Sequence, residues 1–389
     1  MKTTPAPLVI LVVALAAGCS ASSTPSGSRT VELFEPTDGE DCSEAMGINN
    51  LGAVVGYSES CAENTWINTQ QAFPYVADAN GRQRLVVPDA DTTGFGYGIN
   101  DAGYIIGNGY KVATDQYFLY LYRPGERDKP ETLPFPNQGD VYAVTNVRPG
   151  GAAPLVAGGA GPAAGATWQW FRYDVGAKSG TGRNLFVPPP ATGFKGDGGA
   201  MAMSPGGDLA GFYTLTTAAR TAMAWTEARG LLRLDDLQAP GSGRTMIMAL
   251  GINDAGQVVG FGTCAGIHCA FRQDLRTGIV TDLGTLAAPN DKLGVNAKSI
   301  NAKGHIVGTA GDIADTGGYH LRGRRAFFYT DALGMRDLND LVIVPAGWEL
   351  AEATAINDRD EVVGFARNGP TIRRAFRVMV DLTAVSAER

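Results

Sequence analysis

One phrase recurs along this chain and limits its folding more than any other feature. It reads Gly47-Ile-Asn-Asn-Leu-Gly-Ala-Val-Val-Gly56, Gly98-Ile-Asn-Asp-Ala-Gly-Tyr-Ile-Ile-Gly107, Gly251-Ile-Asn-Asp-Ala-Gly-Gln-Val-Val-Gly260, Ser299-Ile-Asn-Ala-Lys-Gly-His-Ile-Val-Gly308 and Ala355-Ile-Asn-Asp-Arg-Asp-Glu-Val-Val-Gly364. Two degenerate copies, Thr145-Asn146 to Gly158 and Met203-Ser204 to Gly211, bring the number to seven. The closing glycines fall at 56, 107, 158, 211, 260, 308 and 364, in steps of 48 to 56 residues. Such a period belongs to a propeller or a solenoid, one supersecondary unit per repeat, and not to a string of separate domains.

Each unit has the same grammar. A short strand ends in Ile-Asn, a tight turn follows, and Val-Val-Gly begins a second strand. The Gly of Asn-x-x-Gly suits the left-handed residue of a type I turn with a G1 bulge, and the Asn side chain can bond its own turn. Asp360 takes the place of that Gly in the seventh unit and tolerates the left-handed region better than most residues. At seven equivalent positions these Asn and Gly residues are structural, the closing Gly marking a close approach of the inner strands.

An alternating apolar stretch follows, for example Phe118-Leu119-Tyr120-Leu121-Tyr122 and Ala326-Phe327-Phe328-Tyr329, which predicts a third strand with one face buried. A fourth strand comes after a turn, as at Arg84-Leu85-Val86-Val87 and Met335-Arg336-Asp337-Leu338. No long helical period is present. Four antiparallel strands per unit compose a propeller blade. The seventh unit lacks its fourth strand, and Thr30-Val31-Glu32-Leu33-Phe34 is a spare strand with no blade of its own. The expected fold is therefore all-β: a seven-bladed β-propeller over residues 30–383, closed by the N-terminal strand completing the last blade, with 384–389 as a tail.

The first thirty residues set the address. Residues 1–18 have Lys2, an apolar run from Leu8 to Ala17 and then Gly18. The run is shorter than the roughly 20 residues a spanning helix needs and has the order of a secretory signal. Leu15-Ala16-Ala17-Gly18-Cys19 resembles the bacterial lipoprotein signal. That resemblance implies lipidation at Cys19, membrane attachment through the N-terminal lipid, and an outer-membrane or cell-surface location, because Ser20 and not Asp follows the cysteine. An ordinary cleaved signal with an incidental Cys is the alternative. Residues 19–29 then form a flexible tether.

The remaining cysteines, Cys42, Cys61, Cys264 and Cys269, form two local pairs, each bracketing a predicted hairpin or its loop. In an oxidising compartment they read as disulfides Cys42–Cys61 and Cys264–Cys269. A metal site made of all four is the competing reading, disfavoured by the lack of Cys-x-x-Cys spacing and by only three histidines. No metal or cofactor is expected.

The Ile-Asn-x-x-Gly-x-Val-Val-Gly phrase, the later Ala-Phe, and Asp282-Leu283-Gly284-Thr285-Leu286 resemble the HAF repeat, an extracellular bacterial repeat named for His-Ala-Phe. The His is absent from every copy; the nearest is His268 of His268-Cys269-Ala270-Phe271, displaced by one. The resemblance covers about residues 30–383. It implies export and a repeat scaffold, and carries no catalytic residues.

Chemistry is sparse. The net charge of −7 offers no basic footprint for phosphates, which excludes nucleic acid as a partner. There is no Gly-x-Ser-x-Gly, phosphate loop, His-Glu-x-x-His or dinucleotide fingerprint. His305, in a second strand, reads as a structural histidine. Asp89, Asp91, Asp312 and Asp315 could serve a cation or a glycosidic site, although loop carboxylates are usually just solvated.

Ring topology puts the Asn-x-x-Gly turns on one face, the bottom, and the longer, more varied segments on the other. On that top face, blades six, seven and one supply the candidate ligand site: Trp66, Asp312, Asp315, His320, Arg322 and Trp348, near Asp38, Glu40, Asp41, Tyr319, Arg324 and Glu349. Trp beside carboxylates and Arg suits a glycan or a peptide; the bland alternative has Trp66 and Trp348 merely packing loops onto the ring. The expected function is a monomeric, non-enzymatic binding or interaction scaffold for a glycan, peptide or envelope protein. The alternative is a carbohydrate-active hydrolase or lyase using top-face carboxylates.

Overall fold

A computed structural model describes residues 29–37, 39–61, 72–87, 92–114, 116–135, 139–144, 153–161, 166–176, 183–239, 241–264, 267–286, 293–313 and 321–383. Strand β1 (Glu32–Phe34) stands apart from the first blade, which is β2 (Cys42–Ile48), β3 (Val54–Glu59), β4 (Phe73–Asp78) and β5 (Gly81–Arg84). Blade two is β6 (Thr92–Ile99), β7 (Ile105–Lys111), β8 (Gln116–Tyr122) and β9 (Glu131–Thr132). Blade three is β10 (Gly139–Val144), β11 (Leu155–Ala160), β12 (Gln169–Asp174) and β13 (Arg183–Val187). Blade four is β14 (Phe194–Met203), β15 (Leu209–Leu215), β16 (Arg220–Thr226) and β17 (Gly230–Arg233). Blade five is β18 (Arg244–Ile252), β19 (Gln257–Cys264), β20 (Ile267–Asp274) and β21 (Val280–Asp282). Blade six is β22 (Leu293–Ile300), β23 (Ile306–Ile313), β24 (Leu321–Thr330) and β25 (Gly334–Asp337). Blade seven is β26 (Glu349–Ile356), β27 (Glu361–Asn368) and β28 (Ile372–Met379), with β1 as its outer strand.

The first strands of neighbouring blades touch in a closed cycle, so the seven sheets form a ring around an axis. The molecule is a seven-bladed β-propeller. β1 pairs antiparallel with β28, Glu32 opposite Arg377, Leu33 opposite Phe376 and Phe34 opposite Ala375. The paired strand is shorter than the expected Thr30–Phe34. Thr30 leaves β28 and bridges Ile343 in the link between blades six and seven instead, with Val31 N donating to Ile343 O at 2.9 Å.

The third strands are buried on both faces, not one; Phe73 to Ala77 are all buried. Blades stack face to face, so each sheet is covered twice, and the apolar clusters straddle adjacent blades, as where Val307, Ala326 and Phe328 of blade six meet Leu350, Val362 and Phe376 of blade seven. The fourth strand of blade one ends at Arg84, where the expected Arg84–Val87 begins, although buried Leu85 still donates to Pro74 O at 2.8 Å.

Why the closing glycine repeats is plain in the ladders. Every first strand carries a β-bulge whose preceding residue pairs with a closing glycine, as Ala45 with Gly56, Ala249 with Gly260 and Ala353 with Gly364; β14, β18 and β26 carry a second irregularity nearer the top. The bulge tips a carbonyl of the first strand toward that glycine, and a Cβ on Gly364 would overlap Glu352 O. The turn glycines have positive φ as expected, and Asp360 sits at φ 66° in their place.

The turn asparagines do more than cap their own turns. Asn49 Oδ1 accepts from Ala53 N at 2.8 Å, while Asn49 Nδ2 donates to Asn100 O of the next blade at 2.9 Å. Asn253 donates likewise to Asn301 O (3.0 Å), Asn301 to Asn357 O (3.0 Å) and Asn357 to Asn49 O (2.9 Å). A girdle of side-chain amides thus staples blade to blade around the bottom face. Its counterpart in blade four is Ser204, whose buried hydroxyl has no partner. The Thr145-Asn146 copy lies outside the described residues.

Candidate functional site

Disulfide Cys42–Cys61 ties the start of β2 to the chain just after β3, and Cys264–Cys269 closes the β19–β20 hairpin, both as expected. The first lies at the top of blade one, beside the seam with blade seven. There Arg373 of β28 reaches two carboxylates at once: its Nε is 2.9 Å from Glu44 Oε1 of β2 and its Nη2 is 2.6 Å from Glu59 Oε1 of β3. Tyr57 OH donates to the other oxygen of Glu44 at 2.8 Å.

Alternation along β2 and β3 explains the arrangement. Glu44, Tyr57 and Glu59 share the sheet face turned toward blade two, where Tyr57 meets Phe95 edge-on at 4.9 Å; Arg373 reaches them from blade seven, and two glutamates are left to share one guanidinium. Burial, with the negative charge of Glu44 added, pushes the Glu59 carboxyl up to about 7, and Arg373 only partly offsets this. Burial first, and Glu44 second, push the Tyr57 phenol well above its ordinary value. For Arg373 burial opposes the charge, but the two carboxylates outweigh it and hold the guanidinium more firmly protonated.

Arg374 points to the other side of β28. It pairs with Glu35 at 3.0 Å, bonds Asp41 O, and lies 5.9 Å from the centre of the Trp348 ring. Trp348 is partly buried against the core shared by blades six and seven, as the packing alternative had it. Asp41, Cys42 and Cys61 bring three donor atoms close together. Both sulfurs are spent in the disulfide and Asp41 accepts from Cys61 N at 2.5 Å, so the group offers no thiolate to a metal.

Of the sequence candidates, Cys19, Trp66, Asp315 and His320, with Asp89 and Asp91, lie outside the described residues. Asp312 and Arg322 are not loop residues. The β23–β24 hairpin extends past a bulge between Ala310 and Asp312, and the two stand opposite each other in its ladder. The structure keeps Trp348 on the blade-six side of β28, beside Arg374, while Glu44, Tyr57, Glu59 and Arg373, which sequence reasoning missed, gather where blades seven and one meet. A Glu at alternate positions of two adjoining strands was the available signal; the cation between them comes from more than 300 residues away.

A second constellation lies on the axis. The bulge residues Met46, Tyr97, Met201, Leu250, Lys298 and Thr354 form a half-buried collar around a cavity of about 410 Å³. Lys298 contacts Glu352 of blade seven, whose other oxygen is 2.8 Å from Arg324. Burial would raise the Glu352 carboxyl, but these two cations outweigh it and hold it below the usual range. At the bottom the cavity is rimmed by Asp101, Asp254 and Asp358, each accepting a backbone N–H of the preceding blade, from Asn50 (2.6 Å), Gly206 (2.7 Å) and Ala302 (2.8 Å). Close by, Asp360 collects His305 Nδ1 and Lys303 Nζ, both at 2.7 Å, and Asn301 Nδ2 at 2.8 Å; these partners outweigh its burial and lower its pKa. His305 is thus an inter-blade tie.

No family model matches the chain, and no curated protein does. Among solved structures, it is similar to a puromycin-hydrolysing peptidase of Mycobacterium tuberculosis, at 14% identity and TM-score 0.51 over 90% of this chain and 52% of that one. A puromycin hydrolase S511A mutant complexed with PGG matches at 12% identity and TM-score 0.52, over 90% of this chain and 55% of that chain. The chain therefore spans about half the length of these enzymes. At such identities the likeness is one of fold.

Proposed function

We propose that this protein is an exported, lipid-anchored HAF-repeat propeller that acts as a non-enzymatic binding scaffold for a glycan, peptide or envelope protein. Cys19 carries the lipid, and the protein resides at the outer membrane or cell surface. The observation that supports a top-face site most directly is the seam between blades seven and one, where Glu44, Tyr57, Glu59 and Arg373 converge. β1 runs away from the Asn-turn face, so the tether enters at the bottom and leaves the seam turned away from the membrane. Cys19→Ala should move the protein from the membrane to the soluble fraction; unchanged partition would defeat the anchor. A polysaccharide and peptide binding screen with the full chain should yield a ligand whose affinity falls at least about tenfold in Arg373→Ala.

A second reading has one observation in its favour: a half-buried Glu59 poised near neutrality beside another carboxylate is the kind of group that serves as a general acid. Turnover of a polysaccharide that is lost in Glu59→Gln would replace the scaffold by a hydrolase or lyase.

A further inference from the structure

At the collar the inner strands of blades one, two, four, five, six and seven bring described side chains around a shared space, and its chemistry is asymmetric along the axis. Met46, Tyr97, Met201 and Leu250 make it largely apolar, Thr354 adds a hydroxyl and Lys298 a single cation. An ammonium has three donors and Glu352 engages one side of it, while Arg324 keeps Glu352 paired if Lys298 turns toward the axis. At the open bottom end the charge is reversed, with the carboxylates of Asp101, Asp254 and Asp358 on the rim. Between collar and rim the wall is backbone. Each first strand is the inner edge of its sheet and has no strand on its axial side, an edge that offers N–H and C=O groups to an extended chain.

A cation at the deep end, anions at the mouth, apolar side chains and strand edges between them together describe a zwitterion with an amide backbone. We propose that the axial throat binds short peptides with free termini, the carboxylate at Lys298 and the ammonium at the acidic rim. The dimensions agree. From Lys298 to Ala302 the chain runs through the end of β22 at Ile300 into the turn, four residues that span at most about 13 Å, and three extended peptide residues span about 10 Å. A cavity of about 410 Å³ lies within the size range of small-ligand sites. This site is distinct from the top seam and stands whether or not the seam binds a ligand.

Calorimetric titration of the full chain with trialanine, its C-terminal amide and its N-acetyl derivative tests it. Saturable one-site binding is expected, with amidation and acetylation each weakening it by about tenfold or more, as for lost charge-assisted hydrogen bonds. In Lys298→Gln the acid and the amide should bind within about twofold of each other, because the partner of the carboxylate is gone. Asp358→Asn, which keeps the acceptor for Ala302 N, should shrink the acetylation penalty and leave the amidation penalty intact. Leu250→Trp fills the throat without altering a charge and should abolish binding; Met201→Phe is the substitute filler if that variant does not fold. Absence of saturable binding, an amide penalty unchanged in Lys298→Gln, or full binding by a filled throat each overturns the proposal. None of these variants touches the top seam.

Discussion

Glu59 feels two neighbours pulling in opposite directions, Arg373 toward ionisation and Glu44 against it, inside a site whose burial already favours the neutral acid. Its folded-state pKa of about 7 lies above the unfolded value near 4.5, so the folded protein binds more protons across that window and stability falls as pH rises through it. The ceiling on this slope is about 3 kcal/mol, set by the size of the shift. Asp360 and Glu352 act with the opposite sign. Their lowered pKa values contribute stability above the ordinary carboxylate range that is lost on acidification. Denaturant unfolding of Glu59→Gln should show the decline between about pH 5 and about pH 8 largely removed, with stability gained at the alkaline end; an unaltered slope would mean that another group titrates there. The local role of each turn residue was legible from the repeat alone. The seam was not, because Glu44, Glu59 and Arg373 become neighbours only when blades seven and one meet.

At the scale of the element, the Asn-x-x-Gly turn is a two-sided device. Its Oδ1 holds its own hairpin, which the sequence pattern implies, and its Nδ2 holds the next blade, which no single repeat can disclose since the acceptor lies some fifty residues on. Blade four lacks the second half. Ser204 keeps the turn, with Gly207 N donating to its carbonyl at 2.9 Å, but its hydroxyl is too short to reach blade five and is left buried and unpartnered. Ser204→Asn should restore the missing staple to Asn253 O and raise stability by about 0.5–1.5 kcal/mol; an equal or lower denaturation midpoint would show that the blade-four turn cannot accept it. Strands were readable wherever aromatic alternation was strong, and their ends were not. Arg84–Val87 ran past the true end of β5, and Asp312, expected in a loop, stands in a strand opposite Arg322, because length in a hairpin is decided by the neighbouring ladder. β1 is three residues long and covers the middle of the eight-residue β28, at Ala375 to Arg377, helped by Glu32 pairing with Arg377 at 2.6 Å. Deleting residues 29–35 should cost several kcal/mol or cause aggregation, since the edge of β28 is then bare; an unchanged melting temperature would remove β1 from any part in stability.

For the whole molecule, seven units and a spare first strand sufficed to anticipate a closed ring, since a ring is the arrangement in which an incomplete last blade and an orphan first strand solve each other's problem. What lies along the axis and between blades depends on how sheets of slightly different sequence face one another, and Lys298, alone among the collar residues in its charge, stands out only once the ring is built.

The pairing of β1 with β28 also sets a timetable. Glu32 and its partner Arg377 are 345 residues apart, and at synthesis rates of about 5–20 residues per second the interval between them is roughly twenty seconds to over a minute. Throughout that interval β1 is made but has nothing to hold, and the six blades that precede its partner can stack without being locked. Completion is thus signalled by the arrival of one late hairpin, and a chain cut short within blade seven, though nearly all of it is present, leaves the ribosome as an open arc with a sticky edge at either end.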